Sequence, residues 1–277
     1  MSSVDPEILD QKLSSLIDRL KDVPSALLAF SGGVDSSFLL KAMKISGVPF
    51  LAITGKSETV PEKDLQQAIS FALQEDVKHR VIMTGELQNE SFVNNPPDRC
   101  FFCKEDLFRR MRQIAEEECS EAVFDGSNAD DLKDFRPGRK AAQLYGVQSP
   151  LAEAGLSKDE IRQLSKKLGL DTWNRPSSPC LSSRFPYGQR ITLPLLRRVE
   201  KAEEFLRSIG IETVRVRIHN DVARIEVPEH EMATMLKNRQ AVVDRLKSFG
   251  FNFVSLDLEG FQSGSLNRVL PQDPATS

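Results

Sequence analysis

The stretch that most constrains the fold is residues 26–46. Ala26 to Phe30 is a short apolar run, Ser31-Gly32-Gly33 interrupts it, and helical periodicity resumes at Ser36 with Phe38, Leu39, Leu40 and Met43. A strand that turns through two glycines into a helix opens a parallel α/β unit, because parallel strands must be joined by a covering crossover. The alternation continues: apolar runs at Pro49–Thr54, Val81–Thr84 and Ala122–Asp125, with Gly146–Ser149 as a candidate fifth strand, and helical patterns at Pro61–Gln74 and Cys103–Cys119. Ile8, Leu9, Leu13, Leu16, Ile17 and Leu20 give the start an amphipathic helix. Ser157 opens another helix, with Asp159 and Glu160 in its first turn and Gly169 past its end. The predicted class is α/β, a parallel sheet with helices on both faces, whose ligands sit at the carboxyl ends of the strands.

From Arg175 the texture changes. RPSSPCLSSRFPYGQRIT reads as a long loop, where sites concentrate. Beyond it come a helix at Pro194–Ser208, two alternating runs at Thr213–Ile218 and Val222–Val227, a helix at Glu229–Phe249 and a strand at Asn252–Leu258. The expected organisation is a nucleotide-binding domain over 1–190 that includes the cysteine loop, a small α+β domain over 191–270, and a disordered tail over 271–277.

Lys+Arg is 37 and Asp+Glu is 40, so the net charge is 37 − 40 = −3, which argues against a protein that coats nucleic acid. No apolar run approaches the roughly 20 residues of a membrane helix. With no export signal, the expected compartment is the reducing cytoplasm, where cysteines are more often metal ligands or reactive thiols than disulfides.

Ser31 to Ser37 reads SGGVDSS. Neither the Gly-Lys-Ser/Thr loop nor the dinucleotide glycine spacing is present. The physics still points to phosphate. Gly32 and Gly33 let backbone approach a ligand, the following helix N-terminus offers N–H groups, and Ser31, Ser36 and Ser37 can donate. Asp35 would repel a bare phosphate, so it orients the loop or helps hold Mg²⁺. The bland alternative is a serine-capped turn. Gly126 and Asn128, after the fourth strand, suit a nucleotide and its metal, against an Asx-turn that caps the strand. Ser57, after the second strand, faces the nucleotide or merely starts a helix.

Cys100-Phe101-Phe102-Cys103 is half of a zinc, iron–sulfur or redox site, and no second C-x-x-C completes it. Cys180 is a third ligand if the fold brings it close, and Cys119 reads as incidental. In the second domain, a two-residue turn at Asn220-Asp221 sets Arg217 across from Arg224 and Arg215 across from Glu226. One hairpin face is then apolar, and the other gathers arginines that suit phosphate and carboxylate. Arg184, beside Cys180, is a further candidate.

SGGVDSS resembles the PP-loop of the N-type ATP pyrophosphatases. Together with Asp125–Asp131, Asp134–Gly138, Ser149-Pro150-Leu151 and Pro179–Gly188, it makes the chain similar to the LarE family from about Leu28 to about Leu256. That resemblance implies an enzyme that adenylates a carboxylate of pyridinium-3,5-biscarboxylic acid mononucleotide and converts it to a thiocarboxylate. The product serves the nickel-pincer cofactor of lactate racemase. It implies ATP and Mg²⁺ at Ser31, Gly32, Gly33, Asp35, Ser36, Ser37, Ser57, Gly126 and Asn128. It implies an anionic nucleotide substrate at Arg184, Arg215, Arg217 and Glu226, with Cys180, Asp35 and Arg184 catalytic. A [4Fe–4S] cluster on Cys100, Cys103 and Cys180 is implied for three-cysteine members, against sacrifice of the Cys180 sulfur in others. Self-association is implied too, and the sulfide donor is left open. The alternatives are a tRNA thiolase of the same superfamily and an ammonia-using ligase such as an NAD synthetase.

Overall fold

The structure is a computed structural model that describes residues 5–132, 136–176, 178–262 and 264–270. The tail over 271–277 and Asp134-Phe135 lie outside them. In chain order the elements are α1 (Pro6–Lys21), β1 (Ala26–Ala29), α2 (Val34–Ser46), β2 (Phe50–Lys56), α3 (Glu62–Gln74), β3 (His79–Met83), α4 (Glu90–Val93), α5 (Arg99–Glu117), β4 (Ala122–Phe124), α6 (Gly138–Leu144), α7 (Pro150–Glu153) and α8 (Lys158–Lys167). There follow α9 (Leu193–Ser208), β5 (Arg215–His219), β6 (Val222–Glu226), α10 (Glu229–Lys237), α11 (Arg239–Ser248) and β7 (Phe253–Leu256).

Contacts gather the chain into two compact units. One is Met1–Glu86 with Cys100–Ser178, and the other is Leu87–Arg99 with Pro179–Ser277. The division at Pro179 lies ahead of the sequence boundary at 190.

The first unit is the expected parallel sheet, in the order β3-β2-β1-β4. Its two faces follow from the period of two along β1. Ala26 and Leu28 join a core with Leu16, Phe38, Leu39, Phe71 and Ile161, contributed by α1, α2, α3 and α8. Leu27 and Ala29 join Phe108, Met111, Ile114 and Ala141 from α5 and α6 on the other face. A strand buried on both faces reads as an unbroken apolar run, as Ala26 to Phe30 does. The candidate fifth strand shrinks to one parallel bridge, Phe124 to Gln148. β1 and β4 depart from the sheet centre in opposite connectivity, so a topological switch point opens beyond their carboxyl ends. The first turn of α8 is locked by a capping box, in which Ser157 Oγ accepts from the Glu160 N–H and Glu160 accepts from the Ser157 N–H.

In the second unit β5 and β6 form the expected hairpin, with Arg215 paired to Glu226 and Arg217 to Arg224. Asn220, at φ +54°, supplies the left-handed turn residue. β7 adds parallel to β6. The single helix expected over Glu229–Phe249 is two. Asn238 divides it, and its side-chain amide donates to the Thr234 carbonyl (2.9 Å), competing with the helical ladder.

Candidate active site

In the first unit, residues 31–37 leave β1 at the switch point. Ser31 Oγ and Ser36 Oγ are 3.1 Å apart, and Ser36 Oγ donates to the Gly33 carbonyl (3.3 Å). Gly33 is the N-cap of α2, and no side chain caps it, so the first-turn amides face outward. Uncapped amides at the positive end of a helix dipole form an anion site. They border a recess of about 190 Å³ lined by Ser31, Gly32, Gly33, Asp35, Lys158 and Arg175, among others. The glycines are set by close approach. At Gly32, with φ +70°, an added Cβ would lie 2.9 Å from the Ala68 Cα of α3. At Gly126 it would lie 3.0 Å from the Ser36 nitrogen, so Gly126 lets β4's loop pack on the start of α2.

Two cations line this recess that the sequence reading did not single out. The Lys158 ammonium, on the first turn of α8, is hydrogen-bonded to Asp35 Oδ2. The Arg175 guanidinium donates to the Gly32 carbonyl. Arg162 steadies the segment that carries Arg175 by donating to the carbonyls of Trp173 and Arg175, both at 2.9 Å. The available signal was position: Lys158 is the N1 residue of a helix whose capping box is legible, and Arg175 opens the Ser/Pro-rich loop. Asp35 Oδ1 and Ser37 Oγ are buried without a hydrogen-bond partner among the described residues. A buried, unpartnered carboxylate oxygen beside an anion cradle is the chemistry a hard divalent cation takes up, so the site fits Mg²⁺.

Asn128 forms the Asx-turn that was the alternative to a nucleotide contact. Its Oδ1 accepts the N–H groups of Asp130 (2.9 Å) and Asp131 (3.2 Å), the Asx-turn arrangement, and it is 3% exposed. Asp125 accepts from the hydroxyls of Ser127 (2.8 Å) and Ser149 (2.7 Å). Ser57 is buried just past β2, 2.9 Å from the Thr59 hydroxyl.

Cys100 and Cys103 lie one turn apart at the start of α5, which begins at Arg99 rather than at Cys103. At i and i+3 their thiols share a side of the helix. Cys103 Sγ donates to Glu86 Oε1 (3.3 Å), and Glu86 also accepts from the Thr84 hydroxyl (3.1 Å). Two thiols one turn apart match the donor chemistry of iron or zinc. Among the described residues, no group of three or more His, Cys, Asp or Glu is assembled to hold a metal ion. Cys119 is exposed at the end of α5.

In the second unit, half-buried Cys180 precedes a single 3₁₀ turn, Leu181–Arg184. Arg184 lies beneath that turn, 3% exposed. Its Nη1 donates to the carbonyls of Pro179 (2.7 Å) and Cys180 (3.2 Å), so one guanidinium grips the backbone on both sides of the thiol. Its Nε and Nη2 fork onto Glu203 of α9 (2.7 and 3.0 Å), which also accepts from Arg207 and the Val216 N–H. Arg217, 3% exposed, makes the same kind of fork on Glu226 (both 2.9 Å) and donates to the Ser183 carbonyl. Arg217 is thus buried against the cysteine turn, whereas Arg224 on the same hairpin face keeps a half-exposed side chain. Arg215 differs. It is 6% exposed and stacks over the Phe261 ring at 4.3 Å, with no ion pair among the described residues. Burial, then the guanidinium groups of Arg217 and Arg184, lower its pKa to about 10. It remains a cation at neutral pH, held at an electrostatic cost that an incoming anion would relieve.

Among the described residues, no helix is long and apolar enough to cross a membrane. No family model matches the chain. An uncharacterized protein of Synechocystis is 42% identical over 266 residues, 95% of this chain and 99% of that protein. A pyridinium-3,5-bisthiocarboxylic acid mononucleotide synthase of Lactiplantibacillus plantarum is 39% identical over 264 residues, 95% of this chain and 96% of its own length. A probable tRNA sulfurtransferase of Methanothermobacter thermautotrophicus is 27% identical over 151 residues, 50% of this chain and 39% of that protein. The last likeness reaches half the chain and marks the superfamily, whereas the synthase matches almost end to end. With a glycine-rich loop at the switch point and 39% identity to the synthase over 95% of the chain, the chain belongs to the LarE family of sulfur transferases, within the PP-loop ATP pyrophosphatases.

Proposed function

We propose that this enzyme uses ATP and Mg²⁺ to adenylate a carboxylate of pyridinium-3,5-biscarboxylic acid mononucleotide and converts it to a thiocarboxylate, in making the nickel-pincer cofactor of lactate racemase. The observation that carries the reading is the uncapped phosphate cradle at the start of α2, in a chain of this family. A substrate carboxylate oxygen attacks the α-phosphorus of ATP, and the bond to pyrophosphate breaks with its electron pair on the leaving oxygen. Adenylation removes the charge that repels nucleophiles. A sulfur nucleophile then adds to the acyl carbon and AMP departs. The amides of the first turn of α2 and the Ser31 and Ser37 hydroxyls would hold pyrophosphate, and Asp35 would hold Mg²⁺. Arg184 and Arg217 position the Cys180 turn from beneath.

Arg215 binds an anionic group of the substrate, because its charge is buried and forms no ion pair among the described residues. Arg215→Ala is expected to weaken substrate binding by roughly 1.5–3 kcal/mol, the worth of one charge-assisted contact, and to leave ATP affinity unchanged. Calorimetric titration with each ligand measures both. An unchanged substrate affinity would return Arg215 to a packing role on Phe261.

Cys100, Cys103 and Cys180 are assigned as ligands of a [4Fe–4S] cluster. The three thiolates would hold such a cluster, which would supply the sulfur nucleophile for transfer. A reducing cytoplasm suits thiolate ligands. Protein purified anaerobically is expected to be brown, with about four irons per chain. Cys100→Ser, Cys103→Ser and Cys180→Ser should each bleach it. Colourless protein that loses one H₂S from Cys180 after reaction, leaving dehydroalanine, would make Cys180 the sulfur donor and remove the cluster.

A further inference from the structure

We propose that Lys158 is a counter-ion that Asp35 holds in the empty enzyme and that crosses to the pyrophosphate group when Mg²⁺ and ATP enter the loop. The proposal rests on the adenylating reading above and adds a residue, and a coupling, to it.

The geometry begins with a conflict of charge. Asp35 stands in the first turn of α2, inside the recess that the uncapped amides make attractive to anions. A bare carboxylate there opposes phosphate entry. In the empty recess its charge is already answered, since the Lys158 ammonium is bonded to Oδ2. The other oxygen, Oδ1, is buried and without a partner among the described residues. The pair is therefore half satisfied, with one carboxylate oxygen held by an amine and one buried without a partner among the described residues.

Lys158 is built to move its head and not its stem. Its backbone N–H donates to Asp130 Oδ2 (2.8 Å), and the Ser157–Glu160 capping box fixes the turn around it. Its side chain is 35% exposed and runs into the recess. Lysine presents a compact charge on a flexible four-carbon stem, so the ammonium can change partner without a backbone shift. Arg175 is the contrasting cation of the same recess. Its planar fork rests on the Gly32 carbonyl, and Arg162 pins its segment, so it stays with the loop.

When Mg²⁺ takes the unpartnered Asp35 oxygen, it places two positive charges beside the ammonium. Repulsion then expels the ammonium toward the nearest anion, the β- and γ-phosphates on the same wall. Each state is locally paired: lysine with aspartate when empty, magnesium with aspartate and lysine with phosphate when full. In the full state the ammonium sits where charge grows as the bond from the α-phosphorus breaks and its electron pair passes to pyrophosphate. The exchange makes metal and polyphosphate bind cooperatively, and each must bind more weakly alone.

Binding of Mn²⁺ alone and of pyrophosphate with Mg²⁺, followed by electron paramagnetic resonance and calorimetry, tests this without turnover. In Lys158→Met, Mn²⁺ alone is expected to bind at least about fivefold more tightly than in the wild type, because its competitor is gone. Magnesium pyrophosphate should bind at least about fivefold more weakly. Lys158→Arg should restore pyrophosphate binding in part. Lys158→Gln is a second neutral variant should the methionine variant fail to fold. Unchanged affinities for both ligands in the neutral variants would overturn the proposal while leaving the adenylating reading in place. A wild type that binds neither pyrophosphate nor ATP would overturn both.

Discussion

Gly32→Ala is expected to slow pyrophosphate release about 100-fold while the chain still folds. Two independent costs meet at this residue. Its backbone is left-handed, at φ +70°, where an L side chain costs about 1–2 kcal/mol. Its new methyl group would lie 2.9 Å from the Ala68 Cα and 3.1 Å from the Ala68 nitrogen. Those atoms are backbone of α3, in a helix whose Ala68 and Ala72 faces are buried in the core, so the neighbour cannot swing aside as a long side chain would. Overpacking of this kind costs roughly 1–3 kcal/mol. The loop is the softer partner and will yield. A displacement near 1 Å in a group that positions phosphates can cost about 100-fold in rate. Gly33→Ala is the control. There φ is −75°, and the nearest atom to a new Cβ is Ser31 Oγ at 3.4 Å, so a much smaller loss is expected. Pyrophosphate release measured with substrate and ATP, beside a thermal midpoint for each variant, reads the outcome. Full activity in Gly32→Ala would mean that α3 gives way and that the close approach is not what selects glycine.

Much of the first unit is legible because its signals are local. The apolar run Ala26–Phe30, the glycine pair and the Ser157 capping box each declare themselves within a few residues, and the alternation of strand and helix patterns implies the parallel sheet. The hairpin register follows from one two-residue turn. What stays hidden depends on contacts between distant segments. Nothing in Leu87–Arg99 says that it packs with residues beyond Pro179, yet Asn95 donates to the Pro186 carbonyl (2.6 Å) and Arg190 forks onto Glu90 (both 2.8 Å). The burial of Arg184 and Arg217 was equally invisible, because a charged residue in a strand or loop reads as exposed until its partner is known. Glu203 sits in a helical run of Glu and Lys that looks solvated, and only the fold turns it inward. Asn128 illustrates a third limit. The same side chain serves a nucleotide or an Asx-turn, and the string Gly-Ser-Asn reads alike in both cases.

The Arg184–Glu203 pair carries the second large effect. Arg184 is 3% exposed and Glu203 1%, and the guanidinium supplies two of the carboxylate's hydrogen bonds. Arg184→Met is expected to destabilise the second unit by about 3–5 kcal/mol, since removing one partner leaves a charge buried with incomplete compensation. Arg207 and the Val216 N–H remain, which favours the lower end. The unfolding midpoint should fall by roughly 10 °C. The loss carries a pH signature. Burial alone would raise the Glu203 pKa, but Arg184, Arg207 and the Val216 amide outweigh it and hold the group below its usual range. In the wild type this carboxylate therefore contributes stability above the ordinary glutamate pKa, near 4.3, and loses it as pH falls through the lowered folded value. In Arg184→Met burial is less opposed and the folded pKa lies higher than in the wild type, so the variant loses less stability on acidification. The gap between the two proteins should be widest at pH 7 and narrow on acidification toward pH 4, as chemical denaturation at each pH would show. A gap independent of pH would mean that lost packing, not charge, dominates. Arg184→Met with Glu203→Leu separates stability from function. Two apolar groups of similar volume in place of a buried ion pair are often neutral, but the buried Val216 N–H loses Glu203 as its acceptor, so the midpoint should recover in part. Sulfur transfer should not recover, because the carbonyls of Pro179 and Cys180 have still lost the guanidinium that holds the thiol's turn in place.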